Sequence, residues 1–333
     1  MIETIYIENE VEAHPRARRL LDRFPAARVI PCEHYGEVFN PAAQSFRLQK
    51  KQPALILARK RGNLVLEAPP ELGIGEGPSF YFSHMLNCLY DCRYCFLQGM
   101  FRSAHYVLFV NFEDFEAAID DTLSEGGEKP SFFFSGYDCD SLALESLSGF
   151  VERFVPFFAA RPAAVLELRT KSVAIRGLLG MPPSPNIVVA FSFTPAAAAA
   201  AMEHGAPDVA QRVRAAAELA AAGWPVGLRL DPLLWYDGWR AGYATLIDGL
   251  AEAIPATAIH SASLGPLRFP SEMFRRIHRL YPEDALLSGP LERRDDFVSY
   301  SAAREAELVG FVKERLGRAF DNIPLFSFTA NTA

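Results

Sequence analysis

Apolar positions change their period along this chain, and the changes predict its elements. From Phe80 onward, short continuous apolar runs alternate with longer stretches whose apolar residues recur every three or four positions. The runs fall near 80–86, 131–135, 163–169, 186–193, 225–230 and 257–264, and include FFF and IVVAFSF, which suit strands buried on both faces. The helical stretches fall near 112–124, 141–159, 171–179, 209–222, 238–253 and 271–280. Six strand-then-helix units in succession predict an α/β fold with a parallel sheet, either open and doubly wound or a barrel missing a sector. In both cases a functional site belongs at the C-terminal ends of the strands.

Before these units, residues 2–7 alternate as a strand, 15–24 read as a basic amphipathic helix, and 27–31 as a second strand. Residues 53–59 and 63–68 predict a hairpin turning at Arg61-Gly62. The glycine-rich stretch 71–78 lacks the lysine of a phosphate-binding loop and reads as a flexible turn. After the sixth unit, an irregular polar segment (288–301) leads to a charged helix (302–320) and a short apolar tail. The expected division is a small α/β extension over 1–75, a central unit over 76–285 and a C-terminal helical cap over 286–333.

Composition narrows the class. Of 333 residues, 50% are hydrophobic and 22% charged, ordinary values for a globular enzyme with a sizeable core. A formal charge of −7 argues against chain-wide attraction to nucleic acid. A local patch remains open: Arg47, Lys50, Lys51, Arg59, Lys60 and Arg61 occur with no acidic residue among them. No apolar run reaches the length of a membrane span, and the opening MIETIYIENE is acidic where a signal peptide is basic and then apolar. A cytoplasmic location is expected, with free thiols.

Three of the five cysteines, Cys88, Cys92 and Cys95, fall in a C-x3-C-x2-C pattern directly after the first apolar run. Closely spaced thiolates suit zinc, copper(I) or an iron-sulfur cluster. A structural zinc site closes its tetrahedron with a fourth ligand, usually from a second cysteine pair, which this chain lacks. A cubane held by three cysteines leaves one iron open for a ligand. His84, on the preceding strand, and the lone Cys32 have a plainer reading as packed core side chains.

The loop C-L-Y-D-C-R-Y-C resembles the cluster loop of the radical S-adenosylmethionine (SAM) enzymes, including the aromatic Tyr94 before the third cysteine. Across nearly the whole chain the order of features is similar to the spore photoproduct lyase family. The likeness rests on IYIE near the start, C-x3-C-x-Y-C-x-L-Q at 88–98, Thr170-Lys171, FSFT at 191–194, AGWPVG at 222–227, Asp237-Gly238-Trp239 and Gly242-Tyr243. The resemblance implies a partial (β/α)6 TIM-type barrel and a [4Fe-4S] cluster on Cys88, Cys92 and Cys95. It also implies SAM, reductively cleaved to a 5′-deoxyadenosyl radical that attacks a cross-linked thymine pair in DNA. An electron donor such as flavodoxin or ferredoxin is the implied redox partner.

By the same resemblance, Cys139 is the expected hydrogen donor, although Tyr137 occupies the family's cysteine position. Tyr94 is expected to relay the radical and to touch SAM, while Phe96 stands where the family carries a second tyrosine. Ser135, Gly136, Lys171, Ser192, Thr194 and Arg212 are the expected SAM contacts. Arg229 and Asp231, alternating on the fifth strand, are expected to pair with each other. The family's Arg-Tyr lesion contact has no clear match, with Arg293, Arg294 and Tyr300 as loose candidates. Two alternatives stay open: a radical SAM enzyme with this scaffold and a different substrate, and a non-catalytic, metal-stabilised nucleic-acid-binding protein.

Overall fold

Eight strands lie side by side in the order in which the chain makes them: Leu66–Glu67, Ser79–Tyr81, Ser131–Phe134, Ala164–Thr170, Ile187–Ser192, Val226–Leu233, Ile259–Pro266 and Leu325–Ser327. All neighbours are parallel except the first pair. The structure, a computed structural model, describes residues 2–69 and 73–328. Every residue of Ser131–Phe134 and Ile187–Ser192 is buried, as continuous apolar runs require of strands covered on both faces. Helices Phe150–Ala159, Val209–Ala221 and Ala302–Ala319 pack on these strands. The result is the expected partial barrel, with both sheet edges open.

Five local expectations change. The hairpin over 53–68 does not form. Leu55–Ala58, buried at all four positions, instead takes the centre of a five-stranded sheet between Thr4–Glu8 and Tyr106–Phe109. The half-buried Leu66–Glu67 becomes an edge of the barrel sheet. The apolar run 80–86 serves two sheets, since Ser79–Tyr81 joins the barrel and Met85–Leu86 pairs antiparallel with Tyr106–Phe109. The five-stranded sheet therefore straddles residue 75.

The stretch expected as one helix over 141–159 breaks at Gly149, and the helix over 171–179 shrinks to Arg176–Leu179. Lys171 and Ser172 are held out of a helix because their backbone amides donate to Asp140 Oδ2 (2.7 Å) and Thr170 Oγ1 (2.8 Å). The polar segment after the sixth unit is not irregular throughout. Glu292–Arg294 and Phe297–Ser299 form a hairpin that pairs with Arg268–Pro270, and Leu325–Ser327 of the tail extends the barrel sheet. Of the stretch 71–78, Glu71 and Leu72 lie outside the described residues, as do the last five of the chain, while Ile74 is buried. No helix among the described residues is long and apolar enough to cross a membrane.

The expected Arg229–Asp231 pair is replaced by a larger buried group. Arg229 Nη2 and Nε donate to Glu167 Oε2 (2.8 Å) and Oε1 (3.2 Å), and Arg229 also meets Ser261. Arg169 bridges Glu167 (2.9 Å) to Asp231 (3.7 Å). Side chains two strands apart meet inside the curve, so the nearest partner is not the nearest in sequence. Burial alone raises the Glu167 pKa, but the Arg229 and Arg169 charges outweigh it and bring it to about 2. Glu167 thus contributes stability that is present above its ordinary value near 4.5 and is lost as pH falls through about 2. Arg229→Met removes one of the two cationic partners of the buried Glu167, leaving Arg169, and is expected to cost about 3 kcal/mol in denaturant unfolding at neutral pH, less as pH falls and Glu167 protonates.

Candidate active site

The cysteine loop leaves the strand Met85–Leu86 of the five-stranded sheet through Asn87, whose left-handed φ of +70° an asparagine tolerates. Its side-chain amide donates to the carbonyls of Ser103 and His105, each at 2.7 Å. Lys50 Nζ donates to the carbonyls of Cys88 (2.7 Å) and Tyr90 (2.8 Å). From the far side, Asp91–Cys92 pairs antiparallel with Glu203–His204, and the Arg93 amide donates to Met202 O at 2.9 Å. Tyr281 Oη closes the loop by donating to Asp91 Oδ1 (3.2 Å) and Gln98 Oε1 (3.1 Å). The loop is therefore held by three separate parts of the chain.

Lys50 explains part of the basic stretch, and ion pairs explain much of the rest. Arg47 pairs with Glu283 (2.9 Å), Arg59 with Asp114 (2.7 Å) and Arg61 with Glu10 (2.8 Å). Lys60 Nζ lies 5.3 Å from the Phe109 ring centre. These contacts favour the structural reading of that stretch over a phosphate-binding face.

Cys88, Cys92 and Cys95 line a cavity of about 500 Å³ at the C-terminal ends of the barrel strands, and Tyr94, Gly136, Tyr137, Cys139, Lys171 and Ser192 share its wall. Gly136 has to be glycine: a Cβ there would stand 2.9 Å from Arg169 O and from Ser141 Oγ. Cys139 is buried, with its Sγ 3.6 Å from Ser135 O. Tyr137 packs with its ring tilted against Phe96 and Tyr81, at centroid distances of 5.6 and 4.4 Å.

Three expected SAM contacts lie behind that wall. Ser135 Oγ bonds Ser141 Oγ (2.9 Å) and Glu167 O (3.1 Å). Arg212, fully buried, donates to Ser192 O at 2.8 Å and is paired with Glu203. Thr194 Oγ1 is 3.4 Å from Tyr94 Oη, whose main partner is also Glu203. These three residues are placed to fix the wall from behind. Asp140, itself in the cavity lining, braces the wall by accepting from Thr170 Oγ1 (2.6 Å) and from the Leu142 and Ala143 amides.

Burial pushes the Cys88 thiol up to about 12 and raises Cys92 and Cys95 as well, opposed by the Lys50 and Lys171 charges. Burial also depresses the Lys171 ammonium, but Cys92 and Glu203 outweigh it, and its pKa ends above the ordinary value. Among the described residues, no three His, Cys, Asp or Glu side chains are gathered as ligands of one metal ion. A cubane suits the arrangement better, because each cysteine then binds a different iron.

His84 is fully buried against Phe150, at a centroid distance of 4.0 Å, and burial first and Arg16 second lower its pKa to about 3. It belongs to the core, as does Cys32, raised by burial to about 11. Arg294 binds Glu305 (3.0 Å), and Tyr300 Oη accepts from the Trp235 amide (2.9 Å). Neither they nor Arg293 line the cavity. The arginine that does so at the mouth is Arg268, beside Met273, Phe297 and Phe328. Sequence reasoning missed Arg268, and also Glu203, although the latter stands only nine residues before Arg212.

A family model described as spore photoproduct lyase matches residues 79–308. The chain belongs to the spore photoproduct lyase family. Spore photoproduct lyase of Bacillus subtilis (strain 168) is 22% identical over 308 residues, spanning 91% of this chain and 89% of that protein. The Geobacillus sp. (strain Y412MC61) protein of the same name is 25% identical over 202 residues, 60% of this chain and 59% of its own. Among solved structures, a spore photoproduct lyase mutant with bound AdoMet and dinucleoside spore photoproduct matches with a TM-score of 0.86 at 19% identity, covering 99% of each chain. At that identity the likeness speaks for the fold, and the partial barrel is the one expected from the sequence.

Proposed function

We propose that this chain is a radical SAM lyase that repairs a thymine photoproduct in DNA, with Cys88, Cys92 and Cys95 holding a [4Fe-4S] cluster. The observation that carries the reading is the convergence of the three thiols with Gly136, Lys171 and Ser192 on one cavity of a chain in this family. When bound, cluster and SAM together supply a 5′-deoxyadenosyl radical from one external electron. A small acidic carrier such as flavodoxin or ferredoxin is the proposed donor, and the cytoplasm the proposed compartment, where the thiols stay reduced.

The protein's part is to place and to shield. Gly136, just after Ser131–Phe134, lets the backbone close on Arg169 and Ser141 while still lining the cavity, and Lys171 offers its ammonium to a carboxylate. Ser192 sits on the same wall, its carbonyl fixed by Arg212. Ser135, Thr194 and Arg212 act as positioning residues. Cys139 gives a hydrogen atom to the product radical: its S–H bond breaks homolytically, a product C–H bond forms, and a thiyl radical remains. Tyr94, anchored by Glu203, is the proposed hydrogen relay: its O–H bond breaks to restore the Cys139 thiol, and the tyrosyl radical left behind takes back a hydrogen atom from 5′-deoxyadenosine. The expected units 1–75, 76–285 and 286–333 serve as extension, catalytic barrel and cap only with shared strands, since Leu66–Glu67 and Leu325–Ser327 belong to the barrel sheet and the five-stranded sheet draws Met85–Leu86 and Tyr106–Phe109 from beyond residue 75.

Phe96 and the placement of Tyr137 before Cys139 favour one second reading, the same chemistry on a different substrate. Anaerobic reconstitution with an iron count, followed by measurement of 5′-deoxyadenosine on reduction with SAM, tests the cofactor chemistry common to both. A protein that binds only zinc and leaves SAM intact sinks both.

A further inference from the structure

The cavity has two unlike walls. One carries the thiols with Gly136, Lys171 and Ser192, and the other carries Arg268, Met273, Phe297 and Phe328. The second is apolar and aromatic around a single guanidinium. Arg268 begins the strand Arg268–Pro270, which the hairpin strand Phe297–Ser299 pairs at the mouth. Its guanidinium carbon lies 5.9 Å from the Phe297 ring centre and 5.5 Å from that of Phe328. The two rings come from separate C-terminal elements. Phe328 is seated over Gly265, where a Cβ would stand only 2.4 Å from the ring.

Lys50 holds the cysteine loop, Arg169 bridges Glu167 and Asp231, and Lys171 stands beside Cys92 and Glu203. Arg268 likewise has interactions of its own, the Asp231 charge among them, and it is distinguished by its place beside the rings of Phe297 and Phe328 in the cavity lining. A guanidinium matches the two free oxygens of a phosphodiester, and flanking aromatic faces suit flat bases.

We propose that Arg268 is a specificity residue that takes the phosphodiester of a dinucleotide substrate, while Phe297 and Phe328 pack on its bases. The inference rests on the lesion-repair reading above and deepens it. It separates two compounds that a base-only site would treat alike: the dinucleotide photoproduct, and the dinucleoside that lacks the phosphate.

The test is equilibrium binding of each compound to the reconstituted holoenzyme with SAM and no reductant. The unaltered protein is expected to bind the dinucleotide at least about tenfold more tightly than the dinucleoside. Arg268→Met is expected to bring that ratio close to one, and Arg268→Lys to keep part of it, both with unchanged iron content and SAM affinity. Phe297→Leu is expected to weaken both compounds together and leave the ratio intact. A ratio near one in the unaltered protein, or a ratio that survives Arg268→Met, overturns the assignment. So does an Arg268→Met variant that loses iron or weakens both compounds alike. Binding of neither compound, with SAM still held and reductively cleaved, overturns the lesion reading itself and the Arg268 assignment with it.

Discussion

Replacing any one of Cys88, Cys92 or Cys95 by alanine is expected to abolish reductive SAM cleavage while leaving the barrel folded. The three thiols sit on a loop held by Lys50, by the Glu203–His204 strand and by Tyr281, none of which acts through a cysteine side chain. The fold should therefore survive, as circular dichroism and denaturant unfolding would show. Iron should fall from about four per chain to near zero, because two thiolates do not retain a cubane. The 5′-deoxyadenosine formed on reduction should fall to background. A variant that keeps full iron and cleaves SAM would mean that the replaced cysteine is no ligand.

The second large effect concerns Cys139. Its thiol faces the same cavity, buried, with Ser135 O at 3.6 Å to orient it. Cys139→Ala leaves the cluster cysteines, Gly136 and Lys171 untouched, so iron content and SAM cleavage are expected to persist. What should change is the fate of the lesion. Without a thiol hydrogen, the product radical is left to other quenchers, and the yield of restored thymine should fall by at least the order of tenfold, with by-products in its place. Product analysis by mass spectrometry, beside the 5′-deoxyadenosine count, separates this outcome from a general loss of activity. Unchanged thymine yield would move the donor role elsewhere, and Tyr137, packed on Phe96 at the same wall, would be the next residue to replace.

Much of this architecture is legible in the sequence, for a physical reason. A strand buried on both faces writes a continuous apolar run, and an amphipathic helix writes a 3.6-residue period. Segments 131–134, 187–192, 209–221 and 271–280 carry those signatures undiluted. Assignments that depended on which sheet a strand joins were less readable. Arg61-Gly62 looks like a hairpin turn, but local turn chemistry does not reveal that Leu55–Ala58 is drawn into one sheet and Leu66–Glu67 into another. The single apolar run 80–86 likewise conceals a change of sheet.

The site divides in the same way. The thiols are visible because three cysteines fall within eight consecutive residues, whereas the supports of their loop come from far along the chain. Lys50 reaches the loop from the N-terminal layer, and Glu203 reaches Tyr94 from beyond the fourth long strand. Arg229 finds Glu167 across an intervening strand rather than Asp231 two residues away. Arg268 gains its meaning only when the C-terminal tail returns Phe328 to the mouth. Such long-range pairings leave no periodic trace in one sequence.

Incubation of the reconstituted, reduced protein with SAM and a dinucleotide spore photoproduct, followed by quantitation of the products, tests the central claim most directly. The account predicts that the photoproduct is converted to the unlinked thymine dinucleotide and that no conversion occurs without SAM or without Cys88, Cys92 and Cys95. Formation of 5′-deoxyadenosine with the photoproduct left intact would contradict it and would point to another substrate on the same scaffold.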